Sequence, residues 1–357
     1  MIELEVEGSY YAMGREHARQ VQAQRLKILE AIAARQAELD RIEGDATPRL
    51  RELAAFLAEF GHPTWEMMRG IADGLGLEWA LMQRYTFSAY LLDAHRATAA
   101  PQEGCTTFAA SAPATRDGAP LLAKNRDYRR DHLALQTLTR SRPAHGYRSV
   151  HLGSAGSPGV FSSGMNERGL AVADTHVLSR DLGPGLPRYA LMLDLLERCP
   201  DVPAALDYLR GVTHMGGGTM ILADAEGHLA VCESGHRSSG YIARSDGWLV
   251  STNHFTTAGL REQWIESDPP EFRGNSQARR AYVEQALARA AGEVDAGWAQ
   301  ALLSDHQTGL DCLCRHERPG STAETILATV FLPHSRQLLF GAGTPCAAEW
   351  VHTTNLW

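Results

Sequence analysis

The sequence predicts an α+β fold in which antiparallel sheets are covered by helices. Three observations carry this expectation. Residues 11–96 read as helix, residues beyond 104 read mostly as strands joined by short turns, and the later helical stretches interrupt hairpins rather than alternating with single strands. The 357 residues show no internal repeat and no low-complexity linker, so they read as one unit with an N-terminal helical part.

The helical part opens at Ala12-Met13-Gly14-Arg15-Glu16-His17 and is rich in Ala, Gln, Glu, Arg and Leu, all good helix formers. Val21, Ile28, Ala31 and Ile32 recur at helical spacing, which gives the segment an apolar face. Pro48, Gly61-His62-Pro63 and the run Ala72-Asp73-Gly74-Leu75-Gly76 divide it into separate helices, the last break preceding Trp79 to His95. Beyond it, four hairpins are expected. Cys105 to Ser111 turns through Arg116-Asp117-Gly118 into Leu121 to Tyr128, and Met220 to Ala223 turns at Glu226-Gly227 into Leu229 to Glu233. Tyr241 to Ala243 turns at Asp246-Gly247 into Trp248 to Asn253, and Ile326 to Leu332 turns at Pro333-His334-Ser335 into Gln337 to Gly341. Helical patterns fall at Tyr189 to Arg198, Val202 to Leu209 and Gln277 to Ala291.

Composition excludes several classes of function. Hydrophobic residues make up 44% and charged residues 21%, which is globular rather than disordered usage. The net charge of −8 argues against non-specific binding to nucleic acid or to an anionic membrane. No apolar run is long enough to span a bilayer, and the N-terminus has neither the cationic start nor the apolar core of a secretory signal, so a cytoplasmic protein is expected. Only Lys27 and Lys124 are lysines, which marks Lys124 for attention.

Six cysteines, at 105, 199, 232, 312, 314 and 346, are too few for a disulfide scaffold in a chain of this size. Cys312, Cys314 and His316 could begin a zinc site, but the single-residue gap between the cysteines is unusual and no second ligand pair is evident, so no metal is expected. Cys105 directly follows Gly104 at the junction of the helical and strand textures. It reads either as a small buried hydrophobe at the start of a strand, the commoner fate of a free cysteine, or as a nucleophile. Gly104, lacking a Cβ, would let the thiolate reach its carbonyl, shift the acyl group from nitrogen to sulfur and free Cys105 as a new N-terminus after hydrolysis.

The motif set resolves that choice by resemblance. Gly104-Cys105-Thr106-Thr107 resembles the processing site of the isopenicillin N acyltransferase family, cysteine members of the N-terminal-nucleophile hydrolases. Gly8 through Gly14-Arg15-Glu16-His17 resembles that family's opening Gly…Gly-x-x-His segment, and Ile71 to Gly76 its helix break before the cleavage point. Lys124-Asn125-Arg126-Asp127 resembles the Asn-x-Asp strand after the nucleophile, and Gly164 to Leu170 resembles the Asn-Glu-x-Gly-Leu turn shared with choloylglycine hydrolases. Thr252-Asn253-His254-Phe255, Asn275 to Arg279, Cys314-Arg315-His316 and Gly343-Thr344-Pro345-Cys346 follow in the family's order, so the resemblance spans nearly the whole chain.

What the resemblance implies is specific. The fold would be a four-layer αββα sandwich, with residues 1–104 as a helical α chain and 105–357 as the core β chain after self-cleavage. Cys105 would hold both thiol and α-amine, and the amine can serve as base, so no histidine partner is required. Asp127 would sit beside the nucleophile and hold the α-ammonium; its alternative is a strand-end carboxylate in a turn. Asn253 would supply the oxyanion donor, or else cap a turn. Arg279 would complete the polar cluster, or else lie on a solvated helix face with Arg280 as its competitor. Lys124 stands where choloylglycine hydrolases carry an arginine, so the bidentate fork is missing. His176 stands where those enzymes place a second pocket asparagine and would line the substrate site, or else be a core histidine; Tyr128 is a further substrate-pocket candidate. Glu233 matches a strand glutamate without an evident task.

These residues imply an enzyme that cleaves or transfers an acyl group through a thioester on Cys105, without a cofactor. Amide hydrolysis of a small N-acyl amine or peptide-like substrate is the simpler outcome; transfer to an amine acceptor and a non-catalytic binding relative are the alternatives. The two cleaved pieces are expected to stay associated, and a homo-oligomer is compatible with the sequence.

Overall fold

The structure, a computed structural model, describes residues 1–42, 46–95, 104–266, 270–306, 309, 312–317 and 323–357. Among these residues the chain builds two sheets and three sets of helices. The N-terminal part contributes β1 (Ile2–Gly8), α1 (Tyr10–Gln20), α2 (Arg25–Leu39), α3 (Thr47–Phe60), α4 (His62–Leu75), α5 (Trp79–Thr86) and α6 (Ser88–Ala94). There follow β2 (Thr106–Ala110), β3 (Leu121–Arg129), β4 (Gln136–Pro143), β5 (Ser149–Ser154), β6 (Ser163–Asn166) and β7 (Ala171–His176). The middle of the chain forms α7 (Arg188–Arg198), α8 (Val202–Gly211), β8 (Gly218–Ala223), β9 (Leu229–Ser234), β10 (Ser239–Arg244) and β11 (Trp248–Ser251). The remainder forms α9 (Ala258–Arg261), α10 (Asn275–Arg289), α11 (Ala296–Leu303), β12 (Ala323–Leu332), β13 (Gln337–Ala342) and β14 (Trp350–Thr353).

One sheet runs β1-β4-β5-β6-β7-β8-β9-β10 and the other β11-β2-β3-β12-β13-β14. A buried apolar layer of Leu122, Leu138, Leu152, Met165, Ile221, Leu327 and Phe331 lies between them. The N-terminal helices with α7 and α8 cover the outer face of the first sheet, and α10 and α11 cover that of the second. This is the expected four-layer αββα sandwich, with an apolar core on each side of each sheet.

Three expectations need correction. The N-terminal part is not wholly helical: Ile2, Leu4 and Val6 alternate with glutamates, a strand pattern that buries Leu4 and Val6 and makes β1 the edge of the first sheet. β1 pairs with β4 in parallel, Ile2 opposite Thr137, so that sheet is mixed rather than purely antiparallel. The expected hairpin of β10 and β11 does not form. β10 pairs with β9 in the first sheet and β11 with β2 in the second, so Asp246-Gly247 carries the chain from one sheet to the other. The local turn signal was real, but burial of Leu249 and Val250 against β2 decides the partner. The other three hairpins form as expected.

The opening glycine motif serves packing. A Cβ on Gly14 would lie 2.2 Å from the Met67 carbonyl oxygen, and one on Gly70 would lie 2.2 Å from that of Tyr11, so α1 and α4 cross nearly backbone to backbone. His17 is buried and accepts a hydrogen bond from Gly156 N at 2.9 Å; burial lowers its pKa to about 4, so it is neutral there. No helix among the described residues is long and apolar enough to cross a membrane.

Candidate active site

Cys105 lies just before β2, buried at the floor of a pocket between the two parts of the chain. Its thiol donates to the Asp127 carbonyl oxygen at 3.6 Å. The placement follows from strand pairing: β2 runs antiparallel to β3 with Thr106 opposite Asn125, so the residue before β2 meets the end of the Lys124 to Asp127 segment. Strand alternation then divides that segment between two faces. Lys124, Arg126 and Tyr128 point toward the first sheet, whereas Asn125 and Asp127 point toward the α10 and α11 side.

Asp127 is fully buried. Thr325 Oγ1 donates to its Oδ1 at 2.6 Å, and Arg315 Nε stands 3.5 Å from its Oδ2. Burial raises its pKa; Arg315, the Thr325 hydroxyl, Arg279 and Lys124 pull the other way without cancelling it.

Arg279 is the hub. α10 buries Asn275, Arg279, Val283 and Leu287, a stripe at four-residue spacing that faces the second sheet. Arg280 pairs with Glu284 at 2.7 Å on the same helix, whereas Arg279 is buried against the segment around Cys105. Nη1 of Arg279 donates to the Cys105 carbonyl oxygen at 2.8 Å and to Thr106 Oγ1 at 2.9 Å. Its Nη2 donates to Asn253 Oδ1 at 2.8 Å and its Nε to Asn275 Oδ1 at 2.9 Å. Only a planar fork satisfies acceptors spread this way.

Asn253 follows β11, its Nδ2 donating to the His176 carbonyl oxygen at 2.9 Å and its backbone N to Ser276 Oγ at 2.7 Å. One N–H of the amide is thereby engaged and the second is left for another acceptor. Glu233 acquires a task. Its carboxylate accepts from the backbone N and hydroxyl of both Thr256 and Thr257, at 2.5 to 2.9 Å, and so fixes the turn that follows Asn253.

Lys124, Tyr128 and His176 line the same pocket as Cys105 and Asp127, whereas Asn253 and Arg279 lie outside its lining. Lys124 is buried and held by Asp174 Oδ1 at 2.8 Å and by the Ser162 carbonyl oxygen at 3.2 Å. Asp174 also meets Arg188 at 3.2 Å, and the two cations hold its pKa down against the effect of burial. His176 Nε2 lies 2.6 Å from Asp93 Oδ2, and Arg35 donates to the Tyr128 hydroxyl at 2.9 Å. Tyr85, Phe87 and Tyr90 from the N-terminal part and Phe161, Tyr189 and Met215 from the rest of the chain also line the pocket.

Two motifs lie away from this site. Asn166 is buried, donates to the Leu196 and Cys199 carbonyls and accepts from Arg168 N and Leu170 N, so it braces its own turn against α7. The Cys312 thiol donates to the Cys314 carbonyl oxygen at 3.2 Å. Sequence reasoning gave no role to Arg315, Thr325, Asn275 or Asp93. Arg315 and Asn275 stood inside quoted motifs, which was the available signal. Thr325 and Asp93 carry none, because only tertiary packing brings them to the site.

Residues 114–346 match the acyl-coenzyme A:6-aminopenicillanic acid acyl-transferase family, a span that starts after Cys105 and includes Asp127, Asn253 and Arg279. No curated protein matches the chain significantly. Among solved structures, a variant of the conjugated bile acid hydrolase from Clostridium perfringens is similar at 14% identity and a TM-score of 0.48, covering 70% of this chain and 96% of that one. Penicillin V acylase from Agrobacterium tumefaciens is similar at 15% identity and a TM-score of 0.43, covering 70% and 87%. With the family match extending over more than half of its residues, the chain belongs to the acyl-coenzyme A:6-aminopenicillanic acid acyl-transferase family.

Proposed function

We propose that the protein is a self-processing N-terminal-cysteine amidohydrolase that cleaves a small linear amide through a thioester on Cys105. The observation that carries this reading is the environment of one residue. The Cys105 thiol opens on the pocket beside Asp127, while Arg279 holds its carbonyl and the Asn253 amide in one fork. A cysteine serving only as a strand-start hydrophobe has no need of such a setting.

Maturation begins when the Cys105 sulfur attacks the Gly104 carbonyl carbon, the peptide nitrogen leaves as the Cys105 amine, and water hydrolyses the thioester to a Gly104 carboxylate and a free thiol. A Cβ at Gly104 would lie 2.0 Å from Arg315 Nη1, so glycine is what lets the guanidinium pack on the scissile residue. In turnover the freed α-amine takes the thiol proton, the thiolate attacks the substrate carbonyl, and the second N–H of Asn253 donates to the oxyanion. The leaving amine takes the proton, and water then releases the acid. Asp127 pairs with the α-ammonium whenever the amine is protonated.

Residues 1–104 and 105–357 remain one enzyme in this reading, because β1 is a strand of the first sheet and the N-terminal helices form one wall of the pocket. The aromatic faces suit an apolar acyl group. Tyr189 of α7, which also lines the pocket, has a buried hydroxyl without a partner among the described residues, a group that a polar substrate atom would satisfy. The acyl-transferase family to which the chain belongs supports acyl transfer as the second reading, with an amine in place of water attacking the same thioester.

Denaturing electrophoresis and intact mass decide maturation. Cleavage would convert the 39.0 kDa chain into pieces of 104 and 253 residues, the latter being 357 − 104, that co-elute on sizing. Cys105→Ala would stay whole and inactive. Active protein consisting only of the 39.0 kDa species refutes the proposal. A panel of N-acyl amides, assayed with and without amine acceptors, separates hydrolysis from transfer.

A further inference from the structure

We propose a second, metal-binding site: a zinc ion held by His306, Cys314, His316 and Cys346. One ligand atom from each of these four side chains lies within 4.8 Å of all the others. His306 Nε2 and His316 Nε2 are 2.8 Å apart, Cys314 Sγ is 3.7 Å from His316 Nε2, and Cys346 Sγ is 3.3 Å from the same nitrogen. Metal–ligand bonds of about 2.0–2.1 Å to nitrogen and about 2.3 Å to sulfur give a tetrahedron with edges of about 3.3–3.8 Å. The two nitrogen–sulfur edges fall within that range, and the two imidazoles would part by about 0.5 Å.

The donor set selects the ion. Two thiolates and two imidazoles suit zinc and offer nothing to magnesium or calcium, which take oxygen ligands. Four protein ligands leave no open position, so the site is structural rather than catalytic. It would tie together three segments: the one after α11, the Cys314-Arg315-His316 run ahead of β12, and the turn after β13. Arg315, which packs on Gly104 and approaches Asp127, lies between two of the ligands. The expected absence of a metal rested on the sequence spacing of Cys312 and Cys314. Cys312 is not a member, and the two ligands that complete the set come from outside that run.

The site is tested on the full-length protein purified under reducing conditions. Elemental analysis after incubation with Zn²⁺ and buffer exchange should give about one zinc ion per chain. Co²⁺ in its place should show the thiolate-to-cobalt charge-transfer band and the intense visible bands of a tetrahedral site. His306→Ala and Cys346→Ser should each reduce bound zinc to background, whereas Cys312→Ser should retain it; circular dichroism shows whether each variant is folded. Stoichiometric zinc lost in both ligand variants supports the site. No bound zinc, a cobalt spectrum without the thiolate band, unchanged zinc in either ligand variant, or a Cys314–Cys346 disulfide in place of the metal overturns it.

Discussion

Replacing Arg279 with lysine keeps the charge and removes the fork. The guanidinium is 1% exposed and donates four hydrogen bonds from three nitrogens, to Asn275, Cys105, Thr106 and Asn253. A lysine ammonium is a single point and cannot serve the Asn275 and Asn253 oxygens together with the Cys105 carbonyl. Two charged hydrogen bonds lost at about 1.5–3 kcal/mol each give roughly 3–6 kcal/mol, and rebinding of one acceptor brings the expected loss to about 3 kcal/mol. In the Cys105→Ala background, where the chain stays intact, Arg279→Lys should lower Tm by about 4–8 °C. In the mature enzyme, freeing the Asn253 amide should lower kcat by about 10²-fold, the usual cost of misplacing a reacting group by an ångström. Calorimetry and steady-state kinetics check the two halves. A variant with Tm within about 1 °C of its parent and kcat within about twofold would show that charge alone matters and that the fork positions nothing.

Asn253→Ala should lose about 10²–10³ in kcat with little change in KM, since an oxyanion donor acts in the transition state; near-normal turnover by fully matured protein would reduce this asparagine to a turn residue. Glu197 should make stability depend on pH. It is buried on α7, accepts from the Tyr10 hydroxyl of α1 at 2.8 Å, and burial pushes its pKa from 4.5 up to about 8. The folded state therefore binds a proton that the unfolded state lacks between about pH 4.5 and 8. That stability is complete below the window and fades as pH rises through it, by at most about 1.4 kcal/mol per pH unit. Glu197→Gln should flatten this slope, and parallel denaturation midpoints for the two proteins across the window would contradict the assignment.

Much of the site was legible in the sequence because it is written in short ordered segments. The Gly104-Cys105 junction, the Lys124 to Asp127 strand, Asn253 and Arg279 each stand beside a recognisable turn, strand or helix start, and strand alternation with helical periodicity then fixes which face each side chain takes. The Ile2 to Val6 alternation was equally readable, and it went unused in favour of the helix formers that follow. Other features had no local signature. That β10 and β11 part into different sheets is decided by which apolar face finds a partner. Thr325 reaches Asp127 through the pairing of β12 with β3, and Asp93 reaches His176 through the docking of α6. His306 and Cys346 join Cys314 and His316 only because three segments converge beside the second sheet. By itself the sequence determined the family, the layered α+β architecture and the segments that meet around Cys105, since these depend on periodicity and on contiguous motifs. Only the tertiary structure decided strand partners, the burial that raises the Asp127 pKa and the convergence of His306, Cys314, His316 and Cys346. Burial, desolvation and long-range pairing are properties of the packed chain and of no short stretch of it.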